Sequence, residues 1–244
     1  MAEHEDDTTI PVPPPDGAAP APLAPGRERP ALEIAPGRVT GPLDFRALFG
    51  NDSAVELEIG VGKGRFLLAQ AEARPGVNFL GIEWSLKYLR VARDRAERRG
   101  LANVRFYRAD ARHVLADLLP DASVSRVHVY CPDPWPKKRH RKRRLFTAAT
   151  AAHLGRVLAA GGYLDVSTDV LEYFEEIRAL IPSHAGLVEA VDPLFPIDGP
   201  EGRTSYELKY LALGRTLHRA SYAQPALDVQ GISRMMSPDS MRTG

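Results

Sequence analysis

From Val55 to Ser167 short runs rich in β-branched and aromatic residues alternate with helical stretches, and each run is followed closely by a glycine or an acid. Val55–Ile59, Val77–Glu83, Val104–Tyr107, Val124–Cys131 and Tyr163–Ser167 read as strands. Between them lie expected helices over Arg65–Ala73, Ser85–Arg99, Ala111–Leu119 and Arg143–Leu158, with another over Val170–Ile181 and further β segments through Leu213. Ser85 stands at an N-cap position and Gly100 at a stop. Parallel neighbours need such crossovers, so the expected fold is α/β: a doubly wound, mostly parallel sheet of about seven strands with helices on both faces. Ligands in such sheets sit beyond the carboxyl ends of the strands. That rule points to Gly60, Glu83, Asp110, Asp133 and Asp169.

Composition limits the rest. With 244 residues and 44% hydrophobic content, one sizeable core is expected. Residues 1–36 hold nine of the 21 prolines and seven acids against two arginines, and read as a disordered acidic tail. Residues 37–222 are the expected domain, and 223–244 a flexible tail. The single cysteine, Cys131, leaves no disulfide framework and no cysteine metal site, and no metal is expected. No apolar run reaches membrane-spanning length, and the first residues lack a secretory core, so no membrane association and a cytoplasmic location are expected.

Glu58-Ile59-Gly60-Val61-Gly62-Lys63-Gly64 places a G-x-G-x-G turn between strand and helix. Glycines there allow positive φ and close approach of a ligand, although a plain tight turn has the same pattern. Glu83 ends the next strand where a carboxylate holds ribose hydroxyls. A dinucleotide fold wants a helix N-terminus facing pyrophosphate, and Glu58 is a poor neighbour for one. It suits a cation, and S-adenosylmethionine carries both an ammonium and a sulfonium. Asp110 can accept from an adenine amino group, can cap the helix that starts at Ala111, or both.

Net charge is +1, yet Lys137–Arg144 alone contributes +7, leaving −6 for the rest. Such a run reads as a solvated helix face, a nuclear-import signal or an anion site. It follows Pro132-Asp133-Pro134-Trp135-Pro136, a turn stiffened by prolines that presents a carboxylate and an aromatic. Trp135 suits either base stacking or core packing, and Cys131 reads as a small buried residue at a strand end.

Taken together, the acids, the glycine turn and P-D-P-W-P-K-K-R-H-R-K-R-R resemble the tRNA (guanine-N7-)-methyltransferase family of the bacterial type over roughly residues 35–222. Ser167-Thr168-Asp169 and Thr204-Ser205-Tyr206-Glu207 extend the likeness. The resemblance implies a Rossmann-like class I methyltransferase that uses S-adenosylmethionine to methylate N7 of guanine 46 in the tRNA variable loop. It implies cofactor binding by Glu58, Gly60, Gly62, Gly64, Glu83, Asp110 and Asp133, with Asp133 also the catalytic acid. Lys137, Asp169, Thr204, Ser205, Tyr206 and Glu207 would contact the substrate. Arg139, His140, Arg141, Lys142, Arg143 and Arg144 would meet RNA. No obligate protein partner is implied, and the enzyme would be a monomer or homodimer.

Guanine N7 carries an in-plane lone pair, so no general base is required, and alignment and charge remain. Asp133 or Asp169 is placed to stabilise the positive charge that reaches the purine. An exocyclic-amine methyltransferase would show an additional proline between acid and aromatic. A nicotinamide enzyme would space its glycines differently. A non-catalytic RNA-binding module would have no need of the set of acids.

Overall fold

The computed structural model describes residues 32–34, 39, 41–192 and 202–226. The expected acidic tail lies almost wholly outside the described residues, as does the end of the chain from residue 227. Eight strands form one sheet in the order β1-β4-β3-β2-β5-β6-β8-β7. They are β1 (Glu33–Ile34), β2 (Val55–Ile59), β3 (Asn78–Ile82), β4 (Val104–Tyr107), β5 (Val124–Tyr130), β6 (Leu158–Thr168), β7 (Val188–Ala190) and β8 (His218–Ala223). Strands β1 to β6 pair in parallel, and β8 runs antiparallel to β6 and β7. The order reverses direction between β2 and β5, so the crevice of this sheet opens beyond Ile59 and Tyr130.

Helices α1 (Phe45–Phe49), α2 (Arg65–Ala73), α3 (Leu86–Arg98), α4 (Ala111–His113), α5 (Ala148–Val157), α6 (Leu171–Ala185) and α7 (Ser205–Ala212) complete the chain. Leu67, Leu68 and Ala71 of α2 pack with Leu89 and Ala92 of α3 on Phe79 and Phe106. A larger core joins Leu57, Ile59, Val127, Val129, Leu164 and Val166 to Leu154 of α5 and to Tyr173 and Ile177 of α6. Strand alternation sends one set of side chains to each core.

Several elements differ from the sequence reading. The basic run does not open a helix. Lys138–Arg143 is a 3₁₀ segment, and α5 begins at Ala148 behind a Thr147–Thr150 capping box. The cations therefore stand clear of the first turn of α5, where the helix dipole would disfavour them. The glycines at 161 and 162 lie inside β6, where the register shifts opposite Val124 and Arg126, and Gly161 takes φ +73°. Helix α4 passes into a π turn over Val114–Leu118. The segment read as further β structure contains α7, and β8 runs one residue into the expected C-terminal tail.

One face of the central strands is polar although buried. Glu56, Arg126, His128 and Asp165 are each at most 7% exposed. Glu56 accepts a two-pronged bond from Arg74 at 2.6 and 2.8 Å and lies 3.1 Å from Nε2 of His128. Nδ1 of His128 lies 2.9 Å from the Tyr130 hydroxyl and 3.5 Å from Asp165. Arg126 reaches Asp165 at 3.1 Å and pairs with Asp192. Among these described residues three carboxylates thus face two arginines and the imidazole of His128.

Candidate active site

The turn after β2 is fastened to the end of β3. The backbone N–H groups of Gly60 and Val61 both donate to the Ile82 carbonyl, at 2.8 and 3.2 Å. Gly60 and Gly62 have φ of +81° and +53°, which glycine adopts without strain. A β-carbon on Gly60 would meet nothing within 4 Å, so the space before the turn is open. Gly64 serves packing instead, because a β-carbon there would lie 3.0 Å from Cβ of Ala92 on α3.

Two carboxylates flank this space. Glu83 accepts from the Gly62 amide at 2.9 Å and from the Ser85 amide at 2.7 Å, which sets it on the rim of the turn. Glu58 lies beneath, 2% exposed, and its Oε2 has no hydrogen-bond partner among the described residues. Burial, reinforced by the charge of Glu207, pushes the Glu58 carboxyl well above its ordinary range. An orphaned acid under an open glycine cradle fits a cationic ligand and disfavours a pyrophosphate. Asp110 caps α4 by accepting from the Arg112 amide at 2.9 Å, and the Arg112 side chain clasps it, holding its carboxyl below the usual range.

Across the crevice, Cys131 and Trp135 both take positive φ, +49° and +41°, on either side of Asp133. Asp133 is exposed and makes no hydrogen bond or ion pair with the described residues. Cys131 is half-buried, its thiol pushed up to about 12 by burial and by Glu207 and Asp169, so it is no nucleophile. Trp135 lies half-buried with the Arg143 guanidinium 5.0 Å above its ring and His140 edge-on at 5.9 Å.

The cationic run divides. Lys137, Lys138, Arg139 and Lys142 are exposed. His140 accepts from Arg139, and slight burial with Arg139, Arg143 and Lys137 around it holds it below its ordinary range. Arg141 is exposed but pairs with Glu172 and Glu176 of α6. Arg144, expected to meet RNA, is only 3% exposed and turns inward. A buried guanidinium cannot reach a phosphate, so the structure corrects that expectation.

Thr204 and Glu207 form a capping box at the start of α7, with bonds of 3.1 and 2.9 Å. Glu207, 1% exposed, also accepts from Ser167 and from Arg219, both at 2.9 Å, and so pins α7 to the sheet. That leaves Tyr206 the exposed member of the motif and Ser205 half-exposed. Asp169 is held by Arg215 at 2.5 Å, and the Arg215 guanidinium lies 4.9 Å from the Tyr210 ring. Burial, with Asp169, Cys131 and Asp133, pushes the Tyr210 hydroxyl upward.

Tyr210 and Arg215 carry no motif and escaped the sequence reading. Trp84 also escaped it, although its position directly after a strand-terminal acid was a signal. It is 69% exposed beside Glu83, with Arg108 against its ring, and offers a plane suited to a purine.

Comparison with known proteins adds an independent line. The family model described as "Putative methyltransferase" matches residues 52–220. The tRNA (guanine-N(7)-)-methyltransferase of Geobacter metallireducens is 35% identical over 195 residues, which is 79% of this chain and 92% of that protein. The protein of the same name from Bordetella parapertussis is 38% identical over 193 residues, 77% of this chain and 76% of that protein. Among solved structures, the antibiotic-resistance methyltransferase Kmr aligns with a TM-score of 0.51 at 19% identity, covering 75% of this chain and 92% of that one. The [4+2]-cyclase SpnF aligns at 0.50 and 17%, covering 72% and 77%. Likeness at these identities concerns the fold, and a cyclase among the neighbours leaves chemistry to the site.

Proposed function

The chain belongs to the methyltransferase family whose model spans residues 52–220, and on that premise we propose how its residues divide the work of methylating a tRNA guanine at N7. The enzyme uses S-adenosylmethionine, as its kinship with tRNA (guanine-N(7)-)-methyltransferases requires. The observation that carries the division of roles is the pair of acids at the carboxyl ends of the adjacent strands β2 and β5: Glu58, buried with an unpartnered oxygen, and Asp133, exposed beside a cationic surface.

When bound, the donor supplies an electrophilic methyl group. Gly60 and Gly62 admit it, Glu58 meets its cationic end, Glu83 takes ribose hydroxyls and Asp110 the adenine amino group. Asp133 and Asp169 accept hydrogen bonds from the N1–H and N2 edge of guanine and stabilise the positive charge that reaches the ring. That edge also separates guanine from adenine, because adenine would leave these acceptors unpaired. Lys137 approaches the substrate from the loop, and Ser205 and Tyr206 from α7. Lys138, Arg139, His140, Lys142 and Arg143 hold the RNA.

We place the modified guanine at position 46 of the variable loop. Incubating the protein with labelled donor and unmodified tRNA, then cleaving at 7-methylguanine with borohydride and aniline, tests this. Cleavage in the variable loop is expected, and methyl transfer without such cleavage would refute the N7 assignment. No helix among the described residues is long and apolar enough to cross a membrane. Action in the cytoplasm, as a monomer or homodimer without an obligate partner, completes the proposal.

Two measurements check the binding surfaces. Replacing Lys138, Arg139 and Lys142 together by Ala is expected to flatten the slope of log K for tRNA against log salt by about 2 to 3, because each phosphate left without its cation takes roughly 0.7–0.9 from that slope. Donor affinity should not move; its collapse would make the run structural. Glu58 gives a proton signal. Its carboxyl is raised in the free protein, and an arriving cation lowers it. Donor binding should therefore release protons and tighten as pH rises through the raised value. Calorimetry in buffers of different ionisation enthalpy should detect the release, and Glu58→Gln should remove it.

A further inference from the structure

The structure assigns to Arg144 a role that its place in the cationic run conceals: it is the positioning residue of the Asp133 loop, holding that loop against α6. The assignment rests on the reading of Asp133 as the group that meets the reacting guanine.

Arg144 is fixed on three sides. Its Nε donates to the Pro134 carbonyl at 2.7 Å, one residue beyond Asp133. Its Nη1 pairs with Glu176, and its guanidinium lies 4.6 Å over the ring of Tyr173, which is fully buried. Glu176 and Tyr173 both belong to α6, whose inner face is part of the larger core. Arg144 thus ties a rigid helix to the backbone of the loop.

That loop needs such a bond. Cys131 and Trp135 occupy the left-handed region without being glycine, a backbone state that persists only where surroundings over-determine it. The Asp133 side chain makes no hydrogen bond with the described residues, so its direction is set by its backbone. The Cys131 amide holds one flank, bonding the Ser167 carbonyl at 2.8 Å. On the other flank the bond from Arg144 to Pro134 does the same. Glu176 completes the device, because without it a buried guanidinium would lack its counter-charge. A lysine cannot replace Arg144, since one ammonium does not reproduce the fork that meets a carbonyl and a carboxylate together.

Arg144→Lys and Glu176→Gln test this in the full-length enzyme. At saturating tRNA and donor, the single-turnover rate should fall tenfold or more, because small misplacements at a reacting centre are costly. tRNA affinity and its salt slope should stay within twofold of the parent for Arg144→Lys, whereas Lys142→Ala should do the reverse. Thermal unfolding shows whether each variant is folded; should Arg144→Lys fail to fold, Glu176→Gln supplies the measurement. A double-mutant cycle with Asp133→Asn isolates the mechanism. If Arg144 acts through Asp133, its substitution costs little in the Asp133→Asn background. A flattened salt slope with an unchanged rate would overturn the proposal and return Arg144 to the RNA surface. An unchanged rate in both Arg144→Lys and Glu176→Gln would also overturn it. If Asp133→Asn alone leaves the rate intact while Arg144→Lys lowers it, the reading of Asp133 fails and the positioning of the loop stands.

Discussion

Asp133→Ala is expected to lower the methyl-transfer rate by about 10²–10³-fold while leaving the protein folded, the range observed when one preorganised charge-stabilising group is removed from a site. The geometry makes this a clean experiment. Asp133 is exposed and makes no bond to the described residues, so its loss removes no packing and little stability. Its carboxylate faces water in the free protein. On the proposed reading, bound RNA would displace that water and strengthen its effect on the guanine. Asp169 is a less simple target, because it is buried against Arg215. Its substitution would orphan that guanidinium and mix positioning with charge. Single-turnover rates at saturating donor and tRNA, read beside thermal unfolding, give the answer. A loss smaller than about threefold, well short of that range, would leave the charge role to Asp169 and remove Asp133 from it.

The sequence was readable wherever one pattern governed an element. Strands β2 to β5 and helices α2 and α3 lie within two residues of their expected ends, because their apolar periods are regular and glycine or proline bounds them. It was misleading where a second force intervened. Seven cations in eight residues repel one another, the segment Lys138–Arg143 is 3₁₀, and the true helix start was marked only by Thr147. Glycines 161 and 162 look like breakers, yet pairing with β5 draws them into β6 and uses Gly161 for the irregularity. Thr204-x-x-Glu207, which the family resemblance assigns to substrate contact, also has the spacing of a capping box and forms one at the start of α7. The acids around the crevice were legible because topology alone places strand ends there. Arg144 was not, because a buried and an exposed arginine look the same in a run of arginines. Tyr210 and Arg215 reach the site only through the docking of α7 on the sheet, which no local pattern announces.

The polar seam beneath the site carries the largest expected effect on stability. His128 lies between Glu56 and Asp165, with both ring nitrogens engaged. Burial alone would depress it, but Asp165 and Glu56 overcome that and raise it above its ordinary value. Burial would likewise raise Glu56, yet His128 and Arg74 hold it at about 2. Replacing His128 by Ala leaves Glu56 and Asp165 buried without the imidazole that lies between them. Breaking a buried ionic cluster this way costs about 3–5 kcal/mol, or a fall in Tm on the order of 10 °C for a domain of this size. The pH dependence carries its own sign. A raised histidine contributes stability that is whole below about pH 6.5 and is lost as pH rises through its folded value. Glu56 contributes stability that is whole above about pH 4.5 and is lost as pH falls toward 2. His128→Gln, neutral at every pH, should therefore abolish the alkaline decline while weakening the protein at neutral pH. Denaturant unfolding between pH 5 and 9 measures both, and an alkaline decline that survives the substitution would assign it to another group. Because β2 and β5 carry Glu58 and the Asp133 loop at their ends, loosening this seam should also reduce donor affinity, linking the charge balance of the core to the geometry of the crevice above it.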